Sequence, residues 1–174
     1  MSLLDDIRDY LSRKRNGVSG VMEGRVGLVE ASLSIKHIRG SDGKVTDFGV
    51  VSRKKVTGAF VNYICTNLAA ELAAFGDFKF HDSGTGTTAE SNADTAMETA
   101  CGEGRDTGTQ VASTNTYTSV ATNTYAGGFA ITEHGLFNIA TGGILMDRSV
   151  FAAINVVATD QIEFTYVLTI NAET

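Results

Sequence analysis

Near the end of the chain, Ile162, Phe164, Tyr166, Leu168 and Ile170 alternate with Glu163, Thr165, Val167 and Thr169. That period of two predicts a strand with one buried face. Ala31, Leu33, Ile35 and His37 alternate in the same way with Ser32, Ser34, Lys36 and Ile38, and Ser41-Asp42-Gly43-Lys44 supplies a turn before Val45–Arg53. The pattern predicts a β-hairpin. Thr116–Tyr125, Phe129–Phe137 and Ile144–Ile154, separated by glycine-bearing turns, predict three further strands. Between the two strand-rich regions, Val56, Phe60, Ile64 and Leu68, with Val61 and Leu72, follow helical spacing. Ala69, Ala70, Ala73 and Ala74 favour a helix over residues 56–74, ending before Gly76. Residues 81–92, and the mixed segments up to Gln110, show little regular period and read as loop.

The N-terminal region has its own pattern. Leu3, Leu4, Ile7, Tyr10 and Leu11 recur at helical spacing, with Ser2 as N-cap and Asp5 and Asp6 in the first turn, which predicts an amphipathic helix over residues 3–14. Arg13-Lys14-Arg15 closes it, and Gly17, Gly20, Gly24 and Gly27 make the following segment a flexible connection. The expected organisation is an arm, residues 1–29, and one domain, residues 30–174. Hairpin-spaced strands without intervening helices place the domain in the mainly β class, as an antiparallel β-sandwich or jelly-roll-like fold with one packed helix.

Composition agrees with one folded domain: 174 residues, 43% hydrophobic and 20% charged, exclude wholesale disorder. A net charge of −6 argues against direct nucleic-acid binding through phosphate neutralisation. No apolar run reaches the ~18 residues of a spanning helix, and the acidic start differs from a signal peptide, so a soluble product with no membrane partner is expected. Charge is unevenly placed. Up to Phe80 there are 12 basic and 9 acidic residues, and from His81 onward 2 basic and 11 acidic. Opposite halves of +3 and −9 suit assembly of neighbouring copies as well as internal packing. Of 21 threonines, only Thr46, Thr57 and Thr66 precede position 85, which again marks the second part as β. Cys65 and Cys101 are too few and too far apart for a disulfide framework or a zinc site.

The candidate chemistry is thin. Gly84-Thr85-Gly86-Thr87-Thr88 has the small residues of an anion-cradling loop but lacks the Gly-Lys-Ser/Thr ending of a nucleotide phosphate loop. His81-Asp82-Ser83 holds the residue types of a hydrolase triad, yet adjacent residues point in different directions. His81, Glu133 and His134 would form a metal site only if their loops met, and no close ligand spacing supports it. Arg105 and Arg148, the only basic residues after Phe80, read as ion-pair partners of Glu103, Asp106, Glu133 or Asp147. Thr132 and His134 are expected on one strand face and Ile131 and Glu133 on the other, with Gly135 permitting a bend. The expectation is a chain with no catalytic set, no cofactor and no metal. A glycan-acting hydrolase or metal enzyme built on His81, Asp82, Glu133 and His134, or a carbohydrate module using exposed Tyr117 and Tyr125, is the rival reading.

Four segments resemble parts of tailed-bacteriophage virion proteins. They are Phe80–Glu90 with Asp94-Thr95-Ala96, then Ala130–Asn138, then Gly142–Phe151, followed by the closing Phe164–Ile170. The likeness spans about residues 45–171, and such segments look like those of capsid decoration (cement) proteins and of tail, collar or fibre subunits. It implies a non-enzymatic protein on the outer capsid surface of the virion, made in the host bacterial cytoplasm, with the major capsid protein and neighbouring copies of itself as partners. The contact residues expected from the arm stripe and the basic triplets are Leu3, Leu4, Ile7, Tyr10, Leu11, Arg13, Lys14, Arg15, Arg53, Lys54 and Lys55. The alternative within the same class is a tail, collar or fibre adaptor. No family pattern attaches to residues 1–29.

Overall fold

The computed structural model describes residues 27–54, 56–69 and 77–171. The predicted arm helix, and the end of the predicted 56–74 helix beyond residue 69, lie outside the described residues. Among the described residues nine strands and one helix follow in order: β1 (Gly27–Ile38), β2 (Val45–Lys54), α1 (Gly58–Ala69), β3 (Phe80–Gly84), β4 (Asp106–Thr107), β5 (Thr109–Ser113), β6 (Thr116–Thr124), β7 (Phe129–Phe137), β8 (Leu145–Val156) and β9 (Gln161–Asn171). One sheet has the order β2-β1-β9-β6-β5 and the other β4-β3-β7-β8. The described residues are mainly β, with two antiparallel sheets and one short helix among them.

Side chains of both sheets meet in one buried cluster. Leu33 and Ile35 of β1 and Ile162, Phe164, Tyr166 and Leu168 of β9 join Ile131 and Leu136 of β7 and Met146 and Ile154 of β8. The period-two pattern of the final strand is realised from Ile162 to Leu168: Ile162, Phe164 and Tyr166 are fully buried and Leu168 nearly so, Glu163, Thr165 and Val167 are half-buried on the other face, and Ile170, expected on the buried face, is exposed. The β1–β2 hairpin turns at Gly43, whose φ of 69° is the left-handed conformation glycine adopts without a Cβ penalty. Phe60 of α1 enters the cluster and stacks edge-on against Phe78 at 5.0 Å. The helix starts at Gly58 rather than at Val56 because Thr57 caps it. The Thr57 hydroxyl accepts from the Phe60 amide at 3.2 Å and itself donates to the Leu145 carbonyl, tying the helix start to β8. Strand β1 starts at Gly27, earlier than the expected arm boundary at residue 29.

Two stretches read as loop are strands. Residues 80–84 form β3, paired with β7 from Phe80↔Phe137 to Gly84↔Glu133 and buried along most of its length. Its sequence, Phe-His-Asp-Ser-Gly, has no apolar alternation because polar partners on both sides satisfy its side chains, so periodicity could not find it. Residues 106–107 and 109–113 form β4 and β5, a short and an edge strand that bury too little to leave a pattern.

Strand β7 also departs from simple alternation. Ile131 belongs to the shared core and the His134 ring packs on Phe164 at 4.5 Å, whereas Thr132 and Glu133 both bond the backbone of Gly86. The expected pairing of faces, Thr132 with His134 and Ile131 with Glu133, is therefore incorrect. The cause is a register irregularity between Ile131 and Glu133, where the partner residues on β8 jump from Ile154 to Val150. Gly135 serves close approach rather than a bend: a Cβ there would lie 2.5 Å from the Met97 sulfur and 2.8 Å from the Phe137 ring.

Candidate functional site

The polar residues singled out by sequence fall into two buried clusters, one on each face of the β3-β7-β8 sheet. On the face away from the shared core, Glu133 is fully buried and its carboxylate is saturated. It accepts from the amides of Gly86 at 3.1 Å, Thr99 at 2.7 Å and Glu98 at 3.1 Å, and from Arg148 Nε at 2.7 Å. Arg148 also donates to Asp94 and Glu98, each at 3.1 Å, so one guanidinium holds three carboxylates. The Thr132 hydroxyl donates to the Gly86 carbonyl at 2.8 Å. The segment from Gly84 to Thr99 is thereby strapped across β7 and β8.

This arrangement explains the glycine-rich run. A Cβ on Gly84 would lie 2.6 Å, and one on Gly86 2.5 Å, from Glu133 Oε1. One amide of the run, that of Gly86, donates to an anion, the chain's own Glu133 carboxylate, and the other two amides on it come from Glu98 and Thr99. Beside it, a hollow of about 270 Å³ is bordered by Thr88, Ser91, Asp94, Glu98 and Arg148. Its one cation is already shared among carboxylates.

On the core side, His81, His134 and Ser119 are all fully buried. His81 Nδ1 lies 2.9 Å from His134 Nε2, and His81 Nε2 lies 2.8 Å from the Ser119 hydroxyl. His134 Nδ1 has no partner. The arrangement that orphans a lone pair rather than an N–H has His134 Nε2–H donating to His81 Nδ1, and His81 Nε2–H donating to Ser119. A serine, an imidazole and an orienting second imidazole are in hydrogen-bond order, but Ser119 has no exposed surface on which to meet a substrate. Ser83 is not the partner of His81. Its hydroxyl accepts from Tyr125 at 3.0 Å and sits 3.4 Å from the Cys101 sulfur.

The three candidate metal ligands therefore do not converge: His81 and His134 bond each other, while Glu133 turns to Arg148. Among the described residues no group of three or more His, Cys, Asp or Glu side chains is placed to hold a metal ion. Tyr125, read as exposed, is 1% exposed. Arg148 does pair with Glu133, as its sequence position suggested, but not with Asp147. Arg105 pairs with Asp82 at 3.4 Å, lies over the Phe137 ring at 3.3 Å and donates to the carbonyls of Ile139 and Gly142. The Asp82 pairing was missed because Asp82 sat in a stretch assigned to loop. Ser119 was missed too, although its signal was present: a small polar residue at an inward position of β6, where alternation calls for an apolar one.

Asp147 was also unforeseen as a core residue. It is 1% exposed, accepts from the Ser149 hydroxyl at 2.8 Å, and burial with nearby Glu90 pushes its pKa up to about 7. Burial lowers the His81 pKa to about 4, and burial together with His81 holds His134 well below the ordinary range. The imidazoles contribute stability above pH 6.5 that is lost as pH falls toward 4. Asp147 has the opposite sign, its contribution being lost as pH rises from 3.8 through about 7. As pH falls from 7 to 5 the unfolded histidines take up protons that the buried pair does not, while Asp147, protonated in the fold, offsets part of this, so stability falls on acidification. Asp147→Asn removes the opposing group and should steepen that slope. Denaturant midpoints measured from pH 5 to 7 for both proteins check it, and an unchanged or shallower slope in D147N would refute the assignment.

Of the expected contact residues, Leu3, Leu4, Ile7, Tyr10, Leu11, Arg13, Lys14, Arg15 and Lys55 lie outside the described residues. Arg53 is exposed in β2, where it pairs with Ser32, and Lys54 ends the strand opposite Ala31. Comparison of the chain with protein-family models, with curated proteins and with solved structures found no match.

Proposed function

We propose that the chain is a non-enzymatic capsid decoration protein of a tailed bacteriophage, which binds the major capsid protein lattice on the outside of the head and stabilises it. The observation that carries this reading is the ordered set of segments resembling virion proteins. Those segments are neighbours in space: Phe80–Gly84 pairs with β7, and β7 pairs with β8. Their distinctive residues make the Glu133–Arg148 strap and the His81–His134 pair, both of which are internal and hold the sheet and its overlying segment together. A chain whose buried polar residues serve its own rigidity suits a protein that acts by adhesion. In this reading the two sheets face each other as an antiparallel, jelly-roll-like β-sandwich, and residues 1–29 form an arm that docks its apolar stripe on a neighbouring subunit.

The basic triplets Arg13-Lys14-Arg15 and Arg53-Lys54-Lys55 supply charge toward an acidic surface, which salt would screen. Antibody against the chain, applied to purified virions and imaged, tests the placement. Label over the whole head is expected. Label restricted to the tail or collar would replace this reading by the adaptor one, and unlabelled particles would remove both.

A further inference from the structure

The five-stranded sheet ends on β2 at one side and on β5 at the other, and the two edges are built differently. Strand β2 carries Asp47, Arg53 and Lys54, has two register shifts against β1, and places Gly49 at a φ of 62°. Charges and irregularities of this kind keep an edge from pairing with another chain. Strand β5 has none of them. Thr109-Gln110-Val111-Ala112-Ser113 pairs with β6 without a register shift, every residue is exposed, and Val111 is 59% exposed. No charged residue occurs anywhere from Thr107 to Thr132, a stretch of 26 residues in a chain that is 20% charged.

The charge distribution selects the occupant. Copies with a net charge of −6 repel one another, and a twofold contact centred on an uncharged strand sets no like charges against each other. The strand is also self-complementary. A twofold axis through Val111 sets Thr109 opposite Ser113, Gln110 opposite Ala112 and Val111 opposite its own copy, giving hydroxyl and apolar cross-strand pairs and no like-charge pair.

We propose that β5 is a self-association edge, through which two copies pair antiparallel about Val111 and join their five-stranded sheets into one continuous sheet. The inference does not rest on the capsid reading, since it is tested on the isolated protein. A five-residue ladder is short, so the association depends on concentration.

The test is the solution mass of the full chain by analytical ultracentrifugation across a concentration series, for wild type and Val111→Lys. A rise to the dimer mass in wild type, shifted at least tenfold to higher concentration in V111K, is expected. A wild-type chain that stays monomeric throughout, or an association that V111K leaves unchanged, overturns the proposal. Should V111K lose its fold, cysteine cross-linking decides. With Cys65 and Cys101 replaced by Ala, V111C should oxidise to a linked dimer much faster than a cysteine at exposed Val157, because antiparallel partners lie within disulfide reach. Equal rates at the two positions would overturn it.

Discussion

Arg148→Ala is expected to destabilise the fold by about 3–5 kcal/mol, the range for removing one partner from a buried ion pair. Glu133 would remain fully buried with three backbone amides but no cation, and Asp94 and Glu98 would lose the group that holds them beside it. The loss therefore has two parts, an uncompensated carboxylate and a loosened 84–99 segment. Denaturant titration reads the first, and faster hydrogen exchange at the Gly86 and Thr99 amides reads the second. The double variant Glu133→Gln with Arg148→Met should recover only part of the stability, since it removes the unpaired charge but sets the new side-chain NH2 against a backbone amide that now donates to Glu133. A single Arg148→Ala cost below 1 kcal/mol would mean that water reaches Glu133 and that the strap is a surface feature.

Phe164→Ala should cost a comparable 3–5 kcal/mol, as emptying a buried aromatic site does. The ring is fully buried, lies in the shared cluster and stacks on His134 at 4.5 Å. Its removal opens space beside the imidazole, so the variant should also lose part of the acid sensitivity that the buried histidines confer. Thr165→Ala, on the opposite face, should change stability by less than about 0.5 kcal/mol. Equal losses at the two positions would show that the period-two reading of the last strand, and the core built on it, is wrong.

Elements that bury one apolar face were legible in the sequence. The last strand, β1 and β6, which alternate over one buried side, lie close to their expected limits, and so do β2, which is largely exposed, and β7 and β8, which are buried over runs of consecutive residues, their limits being marked by the turn residues between them. Strand β3 was not legible. His81, Asp82 and Ser83 are buried by polar partners that lie 18 to 53 residues away in sequence, His134, Arg105 and Cys101 among them, and no local pattern records such partners. The candidate site was legible by residue type and not by grouping. His81, Glu133 and His134 were all identified, but neighbouring residues of a strand face opposite sides, so Glu133 points away from the histidines toward Arg148, and the partners on each face lie far off in sequence. The glycine-rich run was set aside as a phosphate loop; its Gly86 amide instead holds the Glu133 carboxylate of β7, a partner 47 residues away that no local pattern records.

The two clusters also divide the work by depth. The histidine pair with Ser119 lies among the core side chains, and the arginine strap fixes the segment that overlies the opposite face of the same sheet. Groups that hydrolase or metal chemistry would need exposed are committed to internal bonds, which leaves the surface, with its uncharged β5 edge and its uneven charge, as the part available for partners.

Reconstitution on particles tests the central proposal most directly. Heads assembled without this chain are mixed with the purified protein, and bound copies are counted by particle imaging while the heat release of the heads is followed. Adhesion to the capsid lattice predicts saturable binding over the whole head surface and a rise in the temperature at which heads disrupt. Absence of binding, or binding at the tail alone with head stability unchanged, would contradict it.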